Sequence, residues 1–305
     1  MNQDPLIQAP FQKRLLIFSA WSSMFLFSEL PNVICSTVFG KVPGWLLTGK
    51  VGFLALFLAL CFLWKKMRAL LPYAFIMLVF CAALAVSEWV RTSAWWNGFM
   101  SETRPSFAMT WSKPFIRDTG VALAVIAALW IVKRRRSAFF LVKGRFDAPV
   151  EPVRWLGIRQ GGSWRTVGWI FALAASLGVA IPTMLAIRPS PDVLLHTAPL
   201  FPACVLLAAL NAFNEEIYFR TTLLSTLPQV IGKTHALLIN VVLFGLAHYL
   251  YGSPPGIIGF LMTGFLAWIL GKSMLETKGF LWPWLIHFLP DVVIFYSYAL
   301  SWVKQ

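Results

Sequence analysis

The stretch from Asn211 to Arg220 places two carboxylates and one guanidinium inside an otherwise apolar part of the chain. An ionised side chain at the centre of a membrane helix is costly unless it is paired or faces water, so it is interpreted first as functional. On an α-helix Glu216 and Arg220 are four residues apart and can form an ion pair, whereas Glu215 points about 100° away. The spacing therefore predicts that Arg220 neutralises Glu216 and leaves Glu215 available for chemistry. Asn211, one turn before Glu215, either donates a hydrogen bond to that carboxylate or joins a neighbouring helix.

Two further pairs of residues with the same spacing of four lie in later apolar runs, Phe244 with His248 and His287 with Asp291. We interpret Phe244 as a packing residue and the two histidines as candidates for catalysis. A carboxylate beside an imidazole in a poorly solvated pocket can take a proton from water, and a second histidine can donate to the oxyanion of a tetrahedral intermediate. These residue types therefore indicate an amide hydrolase of the aspartic or glutamic type.

The three motifs are predicted to lie at similar depth in the membrane. Measured from the nearest predicted turns, the helix rise places Glu216 about 18 Å, His248 about 22 Å and His287 about 14 Å below one membrane face. Pro290, between His287 and Asp291, has no backbone N–H, so we expect the helix to open there and admit water. The sequence therefore predicts one shared, water-filled site.

A zinc site is the alternative use of the same side chains, with Glu215, His248, His287 and Asp291 as the four ligands. Carboxylate and imidazole are suitable zinc ligands, but the sequence contains no HExxH motif. We therefore expect no cofactor and keep zinc as the alternative.

The composition predicts a polytopic membrane protein. Of the 305 residues, 58% are hydrophobic and 12% are charged, and the mean hydropathy is +0.71, which lies far outside the range of a soluble domain. The net charge of +14 comes from basic residues at the ends of apolar runs, a pattern typical of membrane topology signals and of anionic lipid surfaces, not of nucleic-acid binding. The four cysteines, which form no CxxC motif, are interpreted as packing residues: Cys35, Cys61, Cys81 and Cys204.

The expected fold is an all-α membrane bundle of about eight or nine spanning helices. The apolar runs long enough to span a bilayer, or nearly so, lie roughly at 15–39, 46–64, 69–90, 118–132, 166–187, 199–227, 234–250, 256–272 and 280–302. Pro31 suggests that the first run is broken, and the fourth run is short. The basic clusters after the second and fourth runs predict a cytoplasmic N-terminus in the cell (inner) membrane, with the turns at 228–233 and 273–279 also cytoplasmic. No cleavage site follows the first basic residues, so we predict that the first helix is retained.

Three regions are predicted along the chain: an N-terminal transmembrane module (1–132), a basic aromatic linker (133–165) and a catalytic domain (166–305). The linker holds nine basic residues against two acidic ones, a net charge of +7. Its basic residues alternate with Phe139, Phe140, Phe146, Trp155 and Trp164. This pattern favours a segment in the headgroup layer that contacts anionic lipid, and a surface that docks the substrate is the alternative.

Taken together, the three motifs resemble those of the CAAX protease and bacteriocin-processing (CPBP) family of intramembrane endopeptidases, also called the Abi family, which includes type II CAAX prenyl endopeptidases. The run from Trp155 to Arg159 also resembles a short Leu-Gly-x-Arg element that often precedes that domain. The resemblance covers roughly residues 153–302. It implies a protein or peptide substrate at the membrane.

The resemblance also implies a role for each motif residue. Glu215 and His248 would activate the water, His287 and the residue four later would stabilise the oxyanion, and Glu216 with Arg220 would form a structural pair. The third motif often ends in Asn, whereas this chain has Asp291. Because an ionised carboxylate cannot donate a hydrogen bond, Asp291 would have to be protonated or would orient His287.

Two interpretations from other classes remain open. In a proton-coupled transporter or channel, the four candidate catalytic residues would form a proton relay. The expected signature of such a protein, paired broken helices in two inverted halves, is not evident in the sequence. A member of the same family could also have become a non-catalytic immunity or binding protein, although the intact motifs argue against it.

Overall fold

The computed structural model describes residues 10–99, 101, 106–252 and 254–304. In this part of the chain the secondary structure is helical and contains no β-strand, apart from two isolated β-bridges. The α-helices are α1 Pro10–Phe27, α2 Leu30–Phe39, α3 Leu46–Leu63, α4 Leu71–Thr92, α5 Ala94–Gly98, α6 Phe107–Lys133, α7 Trp164–Ile187, α8 Pro191–Thr197, α9 Phe201–Glu215, α10 Thr222–Thr226, α11 Pro228–Ile231, α12 Lys233–Tyr251, α13 Gly256–Thr277 and α14 Leu281–Lys304. Short 3-10 helices cover Lys65–Leu70, Arg136–Phe139, Arg154–Leu156 and Ala198–Leu200, and a π-helical turn covers Glu216–Thr221. The predicted all-α class is confirmed.

Among the residues that the structure describes, eight helical segments are long and apolar enough to cross a membrane. They are Leu46–Leu63, Lys65–Thr92, Phe107–Lys133, Trp164–Ile187, Pro191–Ile231, Lys233–Tyr251, Gly256–Thr277 and Leu281–Lys304. The hydrocarbon core of a membrane offers no hydrogen-bond partners, and a helix pairs its backbone N–H and C=O groups internally. The chain is therefore a multi-pass integral membrane protein.

Two of the predicted apolar runs differ from the helices that the structure contains. The first run is broken as Pro31 suggested, because α1 ends at Phe27 and α2 begins at Leu30. The fourth predicted run, 118–132, is too short, since α6 extends back to Phe107. Lys113 and Arg117 interrupt the apolar pattern but donate to the backbone carbonyls of Trp96 and Ser87, at 3.5 Å each. Pairing of this kind lets a helix continue through polar residues.

The contacts divide the chain into two compact units. The first unit consists of Met1–Ala82 and Thr222–Trp268, and the second consists of Ala83–Thr221 and Ile269–Gln305. The predicted domain boundaries at 132 and 165 are a different division, and they stay predictions.

In the first unit, α1 packs against α3, α11 and α12. Asn240 on α12 is fully buried and donates to the carbonyl of Ala267 on α13, at 2.9 Å. At the break between α1 and α2, Glu29 pairs with the buried Lys50 of α3, at 3.3 Å. Such paired polar groups are the form in which a membrane helix tolerates charge.

In the second unit, α14 packs against α7 and α9, and α6 packs against α9. The core between α6, α9 and α14 contains Phe107, Phe115, Cys204, Leu207, Ala208, Phe295 and Ala299. Small residues such as Cys204, Ala208 and Ala299 allow membrane helices to approach closely. Cys204 is thus a packing residue, as predicted, and Cys61 and Cys81 are also free and buried.

The linker between α6 and α7 packs against the turn that joins α13 to α14. The Trp164 indole donates to Glu276, at 2.8 Å, and the Trp282 indole donates to the carbonyl of Phe146, at 2.7 Å. Glu276 also forms an ion pair with Lys272. These bonds fix the middle and the C-terminal end of the linker to the C-terminal helices of the same unit.

The prediction that the linker aromatics lie in the headgroup layer is wrong for Phe139, Phe140 and Trp164, because these side chains are buried. Phe146 stacks on Trp282 with ring centroids 4.6 Å apart, and Trp155 is 70% exposed. Alternation along the sequence marks amphipathic side chains, but it does not distinguish a face that meets protein from a face that meets lipid.

The backbone conformation of the linker explains the glycine in its Leu-Gly element. A 3-10 helix covers Arg154–Leu156 and is followed by Gly157, whose φ is +71°. A side chain is unfavourable in this left-handed conformation. Glycine therefore lets the chain turn before it enters α7.

Candidate active site

The acidic motif lies where α9 ends and the π-helical turn begins. Glu215 is the last residue of α9, and Glu216 is the first residue of the turn. Glu216 Oε1 lies 3.4 Å from Arg220 Nη1, and neither side chain is exposed. The predicted ion pair is therefore confirmed. The π-helical turn was not predicted, and such turns are often found at functional sites.

His287 on α14 lies among three carboxylates. Its Nδ1 is 2.8 Å from Glu216 Oε1, and its Nε2 is 3.6 Å from Glu215 Oε2 and 3.7 Å from Asp291 Oδ2. The expectation that Glu216 only forms a structural pair with Arg220 is therefore incomplete, because Glu216 also holds the imidazole. Periodicity could not show this contact, since it joins two helices.

These contacts determine how the His287 ring carries its protons. An ionised Glu216 can only accept a hydrogen bond, so Nδ1 is the donor. In the neutral ring, Nε2 then holds a lone pair and cannot donate to an oxyanion. The predicted oxyanion role consequently requires both ring nitrogens to carry hydrogen. A ring in that form, together with Arg220, brings two positive charges to three carboxylates.

Glu215 is the more accessible of the two glutamates. Its side chain is 21% exposed, whereas that of Glu216 is completely buried. Within the described residues, Glu215 Oε2 has no hydrogen-bond partner, and it lies 3.6 Å from Nε2 of His287. These differences agree with a structural position for Glu216 and a reactive one for Glu215.

Asp291 is held by Asn211. The Asn211 side chain donates to Asp291 Oδ2, at 2.9 Å, so the first predicted alternative, donation to Glu215, is wrong. The second alternative is confirmed, because the bond joins α9 to α14. A second bond between these helices runs from the Trp284 indole to the carbonyl of Ala209, at 3.1 Å. This arrangement fits a carboxylate that orients His287.

Four positions near the acidic motif were missed in the sequence. Asn214 donates to the Thr119 hydroxyl, at 3.2 Å, and the Tyr218 hydroxyl donates to the backbone carbonyl of Asp118. The available signal was the spacing of four between Asn214 and Tyr218, on either side of the two glutamates. On α6, the available signal was the polar pair Asp118 and Thr119 at the start of an apolar run.

Phe244 and His248 lie on α12 in the first unit. Phe244 is buried, and its ring centroid is 4.3 Å from that of His248, which confirms its packing role. His248 Nδ1 is 3.0 Å from the carbonyl of Phe244. Because a carbonyl only accepts, Nδ1 donates and Nε2 of the neutral ring keeps the lone pair that can take a proton. That His248 joins Glu215 in one site stays a prediction.

The zinc alternative concerns the same candidate residues. His287 and its three carboxylate neighbours lie close together, but within the part of the chain that the structure describes no group of three or more His, Cys, Asp or Glu side chains has an arrangement that could hold a metal ion. The zinc alternative stays a prediction.

Comparison with models of known protein families gives a match within the C-terminal half of the chain. Residues 197–293 match the family model described as type II CAAX prenyl endopeptidase Rce1-like. This segment contains all three motifs, and it is shorter than the predicted extent of 153–302. No curated protein and no solved structure matches the chain. The match confirms the family resemblance found in the motifs and supports a protease.

Proposed function

Because residues 197–293 match the family model described as type II CAAX prenyl endopeptidase Rce1-like, we propose that the chain hydrolyses a peptide bond in a membrane-associated protein or peptide. The observation that carries the proposal is the position of His287 among Glu215, Glu216 and Asp291. It supplies a reactive carboxylate and a proton donor side by side, which peptide hydrolysis needs.

In the proposed mechanism, Glu215 takes a proton from water while the water oxygen forms a bond to the carbonyl carbon of the substrate. His248, through Nε2, accepts a hydrogen bond from the same water and so helps to activate it. The carbonyl oxygen becomes an oxyanion, which accepts a hydrogen bond from Nε2–H of the doubly protonated His287. When the intermediate collapses, the C–N bond breaks, and the proton held by Glu215 passes to the leaving amine. Water is the only co-reactant.

The remaining motif residues orient this machinery. Glu216 accepts from Nδ1 of His287 and so directs Nε2 toward Glu215. Arg220 balances the charge of Glu216. Asp291, itself held by Asn211, lies on the Nε2 side of the imidazole and restricts its rotation. A residue that holds a general acid or base in position contributes through orientation of the reacting groups.

The family description, which names CAAX prenyl endopeptidases, supports a proposal for the substrate class. We propose prenylated C-terminal peptides first, and bacteriocin leaders or membrane-anchored sorting tails second. Membranes from cells that express the wild-type chain should contain new carboxyl termini of membrane proteins that are absent from cells expressing Glu215→Gln. Identical sets of carboxyl termini in the two membranes would contradict the proposed function.

We expect hydrolysis to proceed without a metal ion, because the base is a carboxylate and the oxyanion can be held by His287. A preparation shown to be metal-free by elemental analysis should retain the turnover of the untreated protein. If the metal-free protein were inactive and zinc restored its turnover, the zinc site formed by Glu215, His248, His287 and Asp291 would replace this mechanism.

The site should be reached from the cytoplasmic leaflet, since the turns at 228–233 and 273–279 are predicted on that side. Lys233 and Lys278 are both exposed. Single cysteines at these positions in a cysteine-free variant should resist a membrane-impermeant thiol reagent in intact cells and react after the membrane is opened.

The control for this labelling is a cysteine at Lys41, which is exposed and is placed outside by the same topology count. It should react in intact cells. Labelling of the cysteines at 233 and 278 in intact cells would invert the topology and move the entrance of the site to the other side.

A further inference from the structure

Helix α6 lies outside the matched segment, yet it is bonded to both sides of the glutamate pair. Asn214, immediately before Glu215, donates to the Thr119 hydroxyl, at 3.2 Å. Tyr218, two residues after Glu216, donates from its hydroxyl to the backbone carbonyl of Asp118. The two bonds therefore enclose the acidic motif.

The geometry of these bonds is specific. The Thr119 hydroxyl donates its own proton to the carbonyl of Phe115, at 2.7 Å, so its oxygen is free to accept from Asn214. Asn214 is 2% exposed and Tyr218 is 7% exposed. Polar side chains buried at this depth need partners on neighbouring helices. For these two residues, α6 supplies the partners.

The π-helical turn is the reason why such support matters. The regular α-helical pattern of α9 ends at Glu215, and the turn runs from Glu216 to Thr221. Because π-helical turns are short and rare, their persistence depends on the surrounding structure. Tyr218 lies inside the turn, and its bond to Asp118 fixes the turn against α6.

Helix α6 is also fixed relative to the helix that carries His287. Phe115 of α6 packs edge-on against Phe295 of α14, with ring centroids 5.3 Å apart. Trp111 stacks on Tyr298, with ring centroids 4.7 Å apart. The same helix thus contacts the element that carries the glutamates and the element that carries the imidazole.

We propose that α6 is a positioning helix whose Thr119 hydroxyl and Asp118 carbonyl, through Asn214 and Tyr218, aim the carboxylates of Glu215 and Glu216 at His287. The inference rests on the proposed endopeptidase function and assigns a role to a segment outside the family match. Thr119 and Tyr218 act through the glutamates and do not touch the reacting atoms. Their loss should therefore lower kcat and leave KM nearly unchanged.

The test compares Thr119→Val, which removes the hydroxyl at similar volume, with Thr119→Ser, which keeps it. With a farnesylated peptide that ends in a CAAX sequence, Thr119→Val should lower kcat roughly 10- to 100-fold, the effect of a small misplacement of catalytic groups. Thr119→Ser should recover most of the wild-type kcat. Thr110→Val is the matched control, because Thr110 is exposed on the same helix.

A second measurement does not depend on activity. Amide hydrogen exchange of peptides that cover 214–221 should be faster in Thr119→Val than in the wild type, and close to the wild type in Thr119→Ser. Tyr218→Phe should show the same acceleration, and it replaces Thr119→Val if that variant fails to fold.

The outcomes separate the two proposals. Unchanged kcat and unchanged exchange in Thr119→Val and Tyr218→Phe would overturn the positioning role. If Thr119→Ser lowered kcat as much as Thr119→Val, the positioning role would also be overturned, because the loss would not depend on the hydroxyl. If the wild-type chain cleaves no membrane peptide, the proposed function fails, and the exchange measurement alone decides whether α6 holds the turn.

Discussion

Glu215→Gln is expected to lower kcat for peptide hydrolysis by about 10²–10⁴-fold, the usual contribution of a general base. The amide has nearly the shape of the carboxylate but cannot take a proton from water. Folding should change little, because Glu215 is 21% exposed and is not the partner of Arg220. Turnover of a farnesylated peptide and the thermal melting temperature in detergent measure the two effects.

The control for this variant is Glu151→Gln, a change of the same type at an exposed linker position. It should leave kcat and the melting temperature unchanged. If purified Glu215→Gln kept wild-type turnover, Glu215 would not be the base, and His248 would be the remaining candidate.

The second large effect is on folding. Glu216→Gln and Arg220→Ala should each destabilise the protein by about 3–5 kcal/mol, because each removes one member of a buried ion pair and leaves the charge of the other member buried. Both side chains are completely buried, and the ion pair between them has a separation of 3.4 Å. The yield of folded protein and the melting temperature would show the loss.

A double variant separates the two roles of Glu216. Glu216→Leu combined with Arg220→Met replaces the pair by apolar side chains, which is often close to neutral for stability. Folding should therefore recover. Turnover should stay low, because Nδ1 of His287 loses its acceptor, which lies 2.8 Å away in the wild type. Wild-type turnover in the double variant would mean that Glu216 is structural only.

Spacing along one helix was enough to predict part of this site. The pairing of Glu216 with Arg220 follows from helical geometry, because residues four apart lie on one face. The same rule placed Asp291 beside His287, at 3.7 Å. The order of the three motifs along the chain was enough to indicate the family.

Contacts between helices could not be predicted in the same way, because the sequence does not fix how one helix is rotated against another. This is why the hydrogen bond between His287 and Glu216 was missed. It is also why the sequence left two alternatives for Asn211, donation to Glu215 or a link to a neighbouring helix, and could not identify Asp291 as its acceptor. The π-helical turn was missed for a different reason. Its residues have ordinary helical character, and the turn depends on partners such as Asp118 on another helix.

Charged residues also concealed the true length of a helix. Because Lys113 and Arg117 are charged, the predicted apolar run began after them, at residue 118, although α6 continues through both. The backbone carbonyls that accept from them belong to residues distant in the sequence. Hydropathy alone treats such charged residues as the end of an apolar helix, whereas in the structure they are hydrogen-bonded and the helix continues.

The most direct test of the endopeptidase proposal is hydrolysis in water enriched in ¹⁸O. The purified protein in lipid vesicles would be incubated with farnesylated peptides that end in CAAX sequences and with membrane-anchored peptides that carry no prenyl group. Mass spectrometry should find one ¹⁸O atom in the new carboxyl group of a cleaved peptide with the wild type, and product formation should be about 10²–10⁴-fold slower with Glu215→Gln. If the wild type left every peptide intact, or if Glu215→Gln gave the same labelled product at the same rate, the account would be contradicted.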